Sequence, residues 1–218
     1  IDGAFKSAGQ RCSALRVLMI QEECFDETLK MIKGAMMELN IGNPKHLSTD
    51  CGPVINDDAR LKLQGYIDQS RKRSQIIGEI QCNLNAGYYV SPTIIHLKSI
   101  DEINEEFFGP ILHVISYKSS ELEDMIDRLN NKGFGLTFGI HSRIDKQVEE
   151  ITSRVNAGNI YVNRNQIGAI VGSQPFGGEG LSGTGPKAGG PSSLHGYSQS
   201  IASTKETDHA VSYKHHTL

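Results

Sequence analysis

Short runs rich in β-branched residues alternate with amphipathic helical patterns along most of the 218-residue chain. Such alternation is typical of an α/β domain whose largely parallel sheet is flanked by helices. Over residues 25–39 the apolar residues are spaced by three and four, which predicts a helix with one buried face. A second helix is predicted from about residue 57 to residue 73. The predicted strands cover residues 15–20, 75–80, 93–97, 111–117, 136–142 and 159–163.

Composition limits the classes of function that this chain can have. The 38% hydrophobic content fits a soluble globular protein, and no apolar run approaches the length of a membrane span. The formal net charge of -3 argues against a nucleic-acid or membrane-surface partner. The four cysteines have no CxxC spacing, which predicts free thiols in a cytoplasmic protein. The histidines of the polar stretch 200–218 are attributed to a frayed tail, so no metal site is predicted.

Residues 9–13, with the sequence GQRCS, place one cysteine in a small, flexible and electropositive setting. A cysteine attacks as its thiolate, so positive charge near an accessible sulfur favours nucleophilic chemistry at Cys12. Gly9 permits an unusual backbone turn, and Arg11 supplies a permanent charge. Two alternatives stay open from these residues: a buried structural cysteine at the start of a strand, and a cysteine hydrolase whose histidine is distant in sequence.

The segment from 172 to 190 contains eight glycines and has almost no apolar periodicity. A flexible linker has this composition, and so does a loop that approaches a ligand closely. Residues 178–183 match GxGxxG, but a dinucleotide fingerprint must follow a strand and open a helix. Here Pro175 precedes the match, and the prolines and glycines that follow cannot continue as a helix. These residues are therefore not predicted to bind a nucleotide.

Six short motifs occur in an order that resembles the aldehyde dehydrogenase superfamily. They are GQRC (9–12), GPVI (52–55), GYYVSPT (87–93), EFFGP (106–110), GNIYVN (158–163) and PFGG (175–178). The resemblance runs from about residue 3 to about residue 191. It implies a three-layer α/β catalytic domain over residues 1–191, with a mostly parallel sheet flanked by helices. Residues 192–218 are left as a polar tail or as part of an oligomerisation element.

The resemblance implies catalytic chemistry at Cys12, whose counterpart attacks the aldehyde carbon to give a thiohemiacetal and then a thioester. The implied cofactor is NAD, with NADP as the alternative. Glu106 and Phe108 match the positions that contact the nicotinamide ribose and ring. A carboxylate can accept hydrogen bonds from ribose hydroxyls, and an aromatic ring can cover the nicotinamide. Without the motif that follows it, Glu106 would be interpreted as an ordinary surface acid.

Residues 168–178 and 182–191 resemble more narrowly the dehydrogenase module of the bifunctional proline-utilisation flavoenzymes. This resemblance implies oxidation of L-glutamate γ-semialdehyde, formed from 1-pyrroline-5-carboxylate, to L-glutamate in proline catabolism. The backbone N–H groups of Gly168 and Ala169 and the hydroxyl of Ser13 would hold the substrate α-carboxylate. Converging N–H donors suit an anion. Phe176 would pack against the aliphatic part of the substrate.

The same resemblance implies partners and missing parts. The dinucleotide-binding domain, the general-base glutamate and the oxyanion asparagine are expected upstream in the same polypeptide, so this segment alone is expected to be inactive. A homo-oligomer is implied for the full-length form, and FAD is implied only if a proline dehydrogenase domain precedes. Two alternatives remain: a dehydrogenase for another aldehyde, and a non-catalytic interaction or oligomerisation module.

Overall fold

A computed structural model describes residues 1–73, 75–82, 84, 87–169, 174–183 and 187–190, and the backbone of two strands at 198–203 and 212–217. The helices are α1 (Asp2–Phe5), α2 (Phe25–Met37), α3 (Asp57–Lys72), α4 (Leu122–Asn131) and α5 (Asp145–Arg154). The strands are β1 (Val17–Gln21), β2 (Ile76–Glu79), β3 (Thr93–Leu97), β4 (Ile111–Tyr117), β5 (Phe134–Gly135), β6 (Thr137–Ile140), β7 (Asn159–Val162), β8 (Glu179–Gly180), β9 (Ser198–Ser203) and β10 (Ser212–Thr217). None of the described helices has the length and apolar composition needed to cross a membrane.

The largest sheet has four strands in the order β1-β4-β3-β2. The β1–β4 and β4–β3 pairs are parallel, whereas β2 adds to the edge in antiparallel orientation. Five consecutive residues of β4, Ile111 to Ile115, are buried, because a central parallel strand is covered on both faces. The predicted α/β fold with a mostly parallel sheet is confirmed, and the two predicted strands 93–97 and 111–117 are confirmed residue for residue.

Helices cover both faces of this sheet, which makes three layers. On one face, Leu63 and Ile67 of α3 pack with Ile95 of β3 in a shared core. On the other face, Met36 of α2 packs with Ile94 of β3. Neighbouring residues of one strand thus serve opposite cores, as the alternation of side chains along a strand requires. Each such fully buried aliphatic side chain stabilises the fold by about 1.5–3 kcal/mol.

A smaller unit follows in the chain, built on the parallel pair β6–β7. Its core joins Ile126 of α4, Ile140 of β6, and Ile151 and Val155 at the end of α5. The six strands predicted from the sequence therefore belong to two separate sheets. The apolar periodicity of each strand is the same in either arrangement, so it cannot decide which strands pair.

A cleft of about 680 Å³ lies between the two units and is lined by residues of β1, from Val17 to Met19, and by all of β6. Within the described part of the chain, β1 pairs with β4 alone and β6 with β7 alone. The cleft therefore separates two strand edges that each have one open side.

The C-terminal stretch contains an antiparallel hairpin formed by β9 and β10, in register from Ser198 opposite Thr217 to Ser203 opposite Ser212. This pairing differs from the frayed tail that the polar composition suggested. Composition failed because ladder hydrogen bonds satisfy the backbone whatever the polarity of the side chains. His209, in the same stretch, lies outside the described residues.

Candidate active site

Cys12 lies on a loop that begins with a left-handed turn. Ser7 (φ 57°), Ala8 (φ 52°) and Gly9 (φ 66°) all have positive φ, which side chains on the first two positions disfavour. Gly9 packs so closely against the next motif that a Cβ added to it would lie 2.0 Å from the carbonyl oxygen of Gly109. The loop is therefore held in a strained backbone conformation by tertiary packing, as is common at functional sites.

The cysteine and the serine after it differ in exposure. Cys12 is exposed, whereas Ser13 is buried, with a relative exposure of 5%. The alternative of a buried structural cysteine at residue 12 is therefore wrong. Of the other thiols, Cys51 is fully buried, and burial raises its pKa to about 12, which keeps it protonated and unreactive. Cys24 is exposed, like Cys12.

Gln10 ties the loop to the motif at residues 52–55. Its side-chain Oε1 accepts a hydrogen bond from the backbone N–H of Ile55 at 2.8 Å, and its Nε2 donates to the carbonyl of Pro53 at 3.3 Å. The same Nε2 donates to the carbonyl of Ser7 at 3.2 Å. This role was not predicted from the sequence, although a glutamine inside GQRC is a signal that an amide with both donor and acceptor is needed there.

Arg16, at the end of the same loop, binds the carbonyls of Gly9 and Gly109, whose backbones are in close contact. Its Nη1 donates to the carbonyl of Gly9 and, at 3.5 Å, to that of Gly109. Its Nη2 donates to the carbonyl of Arg11 at 3.1 Å. One guanidinium thus links the backbone of the Cys12 loop to Gly109 of the EFFGP motif.

Arg16 also contacts the two residues predicted to face the cofactor. Its Nε lies 3.5 Å from Oε1 of Glu106, and its guanidinium lies 4.5 Å from the centroid of the Phe108 ring. The Arg16 side chain is 15% exposed and that of Glu106 is 34% exposed. Burial lowers the pKa of the Arg16 guanidinium, and the charge of Glu106 opposes that shift. The Phe108 ring is half-exposed, at 44%.

A buried histidine forms a hydrogen bond with the backbone of Arg16. His113 of β4 makes a 2.9 Å hydrogen bond from Nδ1 to the carbonyl of Arg16, and its Nε2 lies 2.9 Å from the hydroxyl of Tyr66. Because a carbonyl can only accept, Nδ1 carries the proton and Nε2 accepts from Tyr66. Burial lowers the pKa of His113 to about 4, so the ring is neutral at pH 7. Tyr66 in turn stacks on Phe107 with a centroid distance of 3.8 Å.

The structure brings part of the predicted site together. Cys12, Glu106 and Phe108 all line the cleft between β1 and β6, as does Arg16. The four residues predicted to bind substrate, namely Ser13, Gly168, Ala169 and Phe176, are not in its lining. The nucleophile and the predicted cofactor residues are therefore on one surface, and the predicted substrate residues are not part of it.

Gly168 and Ala169 follow a loop that touches the cysteine loop at one point. The Nε2 of Gln166 donates to the carbonyl of Ser13 at 3.4 Å. Gly168 has a φ of 81° and open space around its Cα. Residues 170–173 of the substrate motif lie outside the described residues.

Phe176 lies on a separate stretch of backbone. It exchanges two 3.0 Å backbone hydrogen bonds with Ala188. The side chain of Asn159 holds both neighbours of Phe176, donating to the carbonyl of Pro175 at 2.8 Å and accepting from the N–H of Gly177 at 3.1 Å. Among the described residues, no hydrogen bond or ring contact joins Phe176 to the cysteine loop. The GxGxxG match at 178–183 forms the short strand β8, paired with β5, and a turn.

Known proteins agree with this architecture. The model of the aldehyde dehydrogenase family matches residues 1–202. The chain belongs to the aldehyde dehydrogenase family. The match extends beyond residue 191, where the sequence resemblance ended. Family membership accounts for the order of the six motifs, and it confirms the resemblance on which the site prediction rests.

Several similar proteins are named PutA, proline utilization A or 1-pyrroline-5-carboxylate dehydrogenase. The bifunctional protein PutA of Klebsiella aerogenes is 50% identical over 199 residues, covering 88% of this chain and 15% of that protein. A crystal structure of a mutant of proline utilization A from Bradyrhizobium japonicum has a TM-score of 0.83 at 49% identity, covering 88% of this chain and 19% of that one. A 1-pyrroline-5-carboxylate dehydrogenase from Thermus with bound NAD has a TM-score of 0.82 at 28% identity, covering 99% and 39%. The chain thus spans about 15% of the length of the PutA protein that it matches.

Proposed function

We propose that this chain forms the catalytic domain of an NAD-dependent aldehyde dehydrogenase that oxidises L-glutamate γ-semialdehyde, formed from 1-pyrroline-5-carboxylate, to L-glutamate. The observation that carries the proposal is the shared cleft of an exposed cysteine, a carboxylate and an aromatic ring: Cys12, Glu106 and Phe108. The 50% identity to a PutA protein supports the substrate within the family.

Cys12 is the proposed nucleophile. Its thiolate adds to the aldehyde carbon, and the sulfur then carries the acyl group as a thioester until water cleaves the C–S bond and releases the carboxylate. Exposure of Cys12 on the cleft gives a substrate access to the sulfur. The backbone N–H of Cys12 is the proposed donor to the oxygen that becomes negatively charged in this addition.

Glu106 and Phe108 are the proposed cofactor residues, and their exposure fits that role. The Glu106 carboxylate has room to accept hydrogen bonds from ribose hydroxyls, and one face of the Phe108 ring is covered by Arg16 while the ring stays 44% exposed. When bound, NAD would accept the hydride, which carries both electrons, from the thiohemiacetal carbon attached to the Cys12 sulfur, and the thioester would remain. The NAD bound to the similar dehydrogenase from Thermus supports this choice over NADP.

The proposed substrate residues have different roles. Gly168 has the open, left-handed backbone that lets N–H groups approach an anion, and with Ala169 it is the proposed clamp for the α-carboxylate. Phe176 is the proposed apolar wall. Ser13, which is 5% exposed, is the proposed hydroxyl donor.

Other parts of the enzyme are proposed to lie in the same polypeptide. The open edges of β1 and β6, beside a cleft lined by apolar side chains, fit the packing of a further segment, and an upstream NAD-binding domain is the proposed partner. We propose that residues 192–218, with the β9–β10 hairpin, take part in a homo-oligomer. FAD is expected only in a polypeptide that also carries a proline dehydrogenase domain, and cytoplasmic location is the expectation from the free thiols.

The test is NADH formation from 1-pyrroline-5-carboxylate by the full-length protein, its Cys12→Ala variant and a Cys24→Ala control. Loss of a nucleophile removes the covalent route, and we expect the rate to fall by about 10³-fold or more in Cys12→Ala. Cys24 is a matched control, since it is an exposed thiol outside the cleft lining. We expect its variant to retain the wild-type rate.

Three outcomes would change the proposal in different ways. Activity with other aldehydes but none with 1-pyrroline-5-carboxylate would keep the enzyme class and remove the substrate. Full activity in Cys12→Ala would remove the covalent mechanism. Absence of NADH formation with every aldehyde tested would favour the alternative of a non-catalytic interaction module.

A further inference from the structure

Arg16 is the described residue that joins the nucleophile loop to the proposed cofactor residues. Its guanidinium contacts five groups: the carbonyls of residues 9, 11 and 109, the Glu106 carboxylate and the Phe108 ring. None of the sequence motifs assigned it a role. A planar guanidinium is suited to such a site because its donors point in fixed directions while its face can stack on an aromatic ring.

The backbones of Gly9 and Gly109, which Arg16 connects, are closely packed. A Cβ on Gly9 would lie 2.0 Å from the Gly109 oxygen, and a Cβ on Gly109 would lie 2.5 Å from Leu63 of α3. Two backbone segments thus meet directly, and both of their carbonyls accept from the same Nη1 of Arg16. Movement of residue 109 relative to the cysteine loop would break these hydrogen bonds together.

The Nε of Arg16 is buried, and no acceptor within the described residues forms a hydrogen bond with it. The nearest charged acceptor is Oε1 of Glu106 at 3.5 Å, which forms an ion pair with Arg16 without meeting the geometry of a hydrogen bond. A small rotation of the Glu106 side chain would complete the bond. Buried donors are seldom left without a partner, so the Nε of Arg16 indicates that Glu106 is the group that this side chain orients.

We propose that Arg16 is a positioning residue for the cofactor, holding Glu106 and Phe108 at a fixed place relative to Cys12. The inference rests on the proposed function and adds to it a residue that determines cofactor affinity without belonging to the family motifs. Arg16 orients the carboxylate that accepts from the ribose and covers one face of the Phe108 ring. His113 fixes the backbone of Arg16 by donating its Nδ1–H to the Arg16 carbonyl.

The test uses the full-length protein with Arg16→Gln and Arg16→Lys, and with Arg128→Gln as a matched control. Arg128 is also ion-paired to two acidic residues, Asp101 and Asp124, but on an exposed face of α4. Two quantities are measured: the Kd of NADH by direct titration without aldehyde, and the KM values for NAD and for the aldehyde substrate, supplied as 1-pyrroline-5-carboxylate. Hydrogen exchange of residues 9–13 and 105–109 reports the coupling between the two segments.

We expect Arg16→Gln to raise the Kd of NADH and the KM for NAD by about tenfold, the effect of losing charge-assisted contacts, with the KM for the aldehyde changed less than about twofold. Exchange should accelerate in both segments. Arg16→Lys keeps the charge but loses the planar fork, so an intermediate increase is expected. The double variant Arg16→Gln with Glu106→Gln should lose less binding free energy for NADH than the sum of the two single losses, because Arg16 acts in part through Glu106.

Unchanged NADH affinity in Arg16→Gln would overturn the proposal, and so would an equal rise in both KM values, which indicates general loosening. If Arg16→Gln does not fold, the Arg16→Lys comparison decides by the same criteria. Wild-type protein that binds NADH but leaves 1-pyrroline-5-carboxylate unoxidised would remove the proposed substrate and leave the Arg16 inference standing. Wild-type protein that binds no NADH would overturn both.

Discussion

The cysteine loop and the glycine-rich segment after residue 165 both carry proposed site residues, but they are held in different ways. The cysteine loop is fixed by side chains that reach it from within the domain: Gln10 from the loop itself, Arg16, and His113 beneath. In the described part of the glycine-rich segment, Phe176 is held by a backbone pair with Ala188, and its neighbours Pro175 and Gly177 are held by the Asn159 side chain, which reaches them from β7.

The difference lies in what each segment must tolerate. A nucleophile requires one geometry relative to the cofactor, and the hydrogen bonds that the Gln10 and Arg16 side chains donate to backbone carbonyls restrict the loop to one arrangement. A loop that closes on a substrate requires close backbone approach, which glycine permits and bulky side chains prevent. Gly9 is therefore packed closely against backbone, whereas Gly168 has open space around its Cα.

Gly9→Ala tests the rigid segment and should have the largest effect. The added Cβ would lie 2.0 Å from the Gly109 oxygen, at a φ of 66° that alanine disfavours. Because backbone on both sides must move, we expect destabilisation by more than about 3 kcal/mol and loss of NADH formation. The measurement is the urea midpoint for residues 9–13 in pulse-labelled hydrogen exchange of the full-length protein.

Gly34→Ala is the control for Gly9→Ala. Gly34 lies in α2 with nothing within 4 Å of an added Cβ, so alanine should stabilise the helix by up to about 1 kcal/mol. A Gly9→Ala protein with a wild-type midpoint would contradict the rigid packing of the cysteine loop.

His113 gives the rigid segment a dependence on pH. Burial lowers its folded-state pKa to about 4 from 6.5, so its contribution to stability is complete above pH 6.5 and is lost as the pH falls towards 4. Over that interval the loss should be about 3 kcal/mol, since the unfolded chain takes up the proton first. The readout is the urea midpoint for the peptide over β4, labelled at one pulse pH after equilibration at each test pH.

The contribution of His113 is isolated by difference, because carboxylates also titrate in this range. His113→Gln should show a shallower fall between pH 6.5 and 4 than wild-type protein, although it starts less stable. His46→Gln, which changes an exposed histidine, should keep the wild-type slope. Equal slopes in all three proteins would mean that His113 is not held neutral by burial.

The fold was largely predictable because local patterns decide most of it. Strands β3 and β4 were predicted at their observed bounds, since continuous apolar runs between turn residues indicate buried strands. The separation of β6 and β7 from the main sheet was not predictable, because pairing depends on contacts distant in sequence. The C-terminal hairpin was missed for a related reason: its strands pair through backbone hydrogen bonds, which a polar composition does not reveal.

For the site, motif resemblance identified residues, whereas the structure identified what holds them. Cys12, Glu106 and Phe108 came from motifs, and the structure brings them to one cleft. The contact between Arg16 and His113 escaped prediction because it joins positions 97 residues apart in the chain. A lone histidine in an apolar strand is usually interpreted as a core residue, and His113 is indeed buried. Its effect on the site comes from the hydrogen bond that it donates to the Arg16 carbonyl.

Gly168→Ala tests the open segment and should have the smallest effect. Gly168 has a φ of 81° but nothing within 4 Å of an added Cβ, so only backbone strain of about 1 kcal/mol is expected, without a steric clash. If its N–H holds the substrate carboxylate, the KM for the aldehyde substrate should rise by about fivefold while that for NAD stays constant, because about 1 kcal/mol of strain acts on substrate binding. Steady-state kinetics of the full-length protein measure both values, and Gly189→Ala, also left-handed at φ 74° and open, is the control. A Gly168→Ala protein as destabilised as Gly9→Ala would mean that the two segments are equally rigid, and the contrast between them would fail.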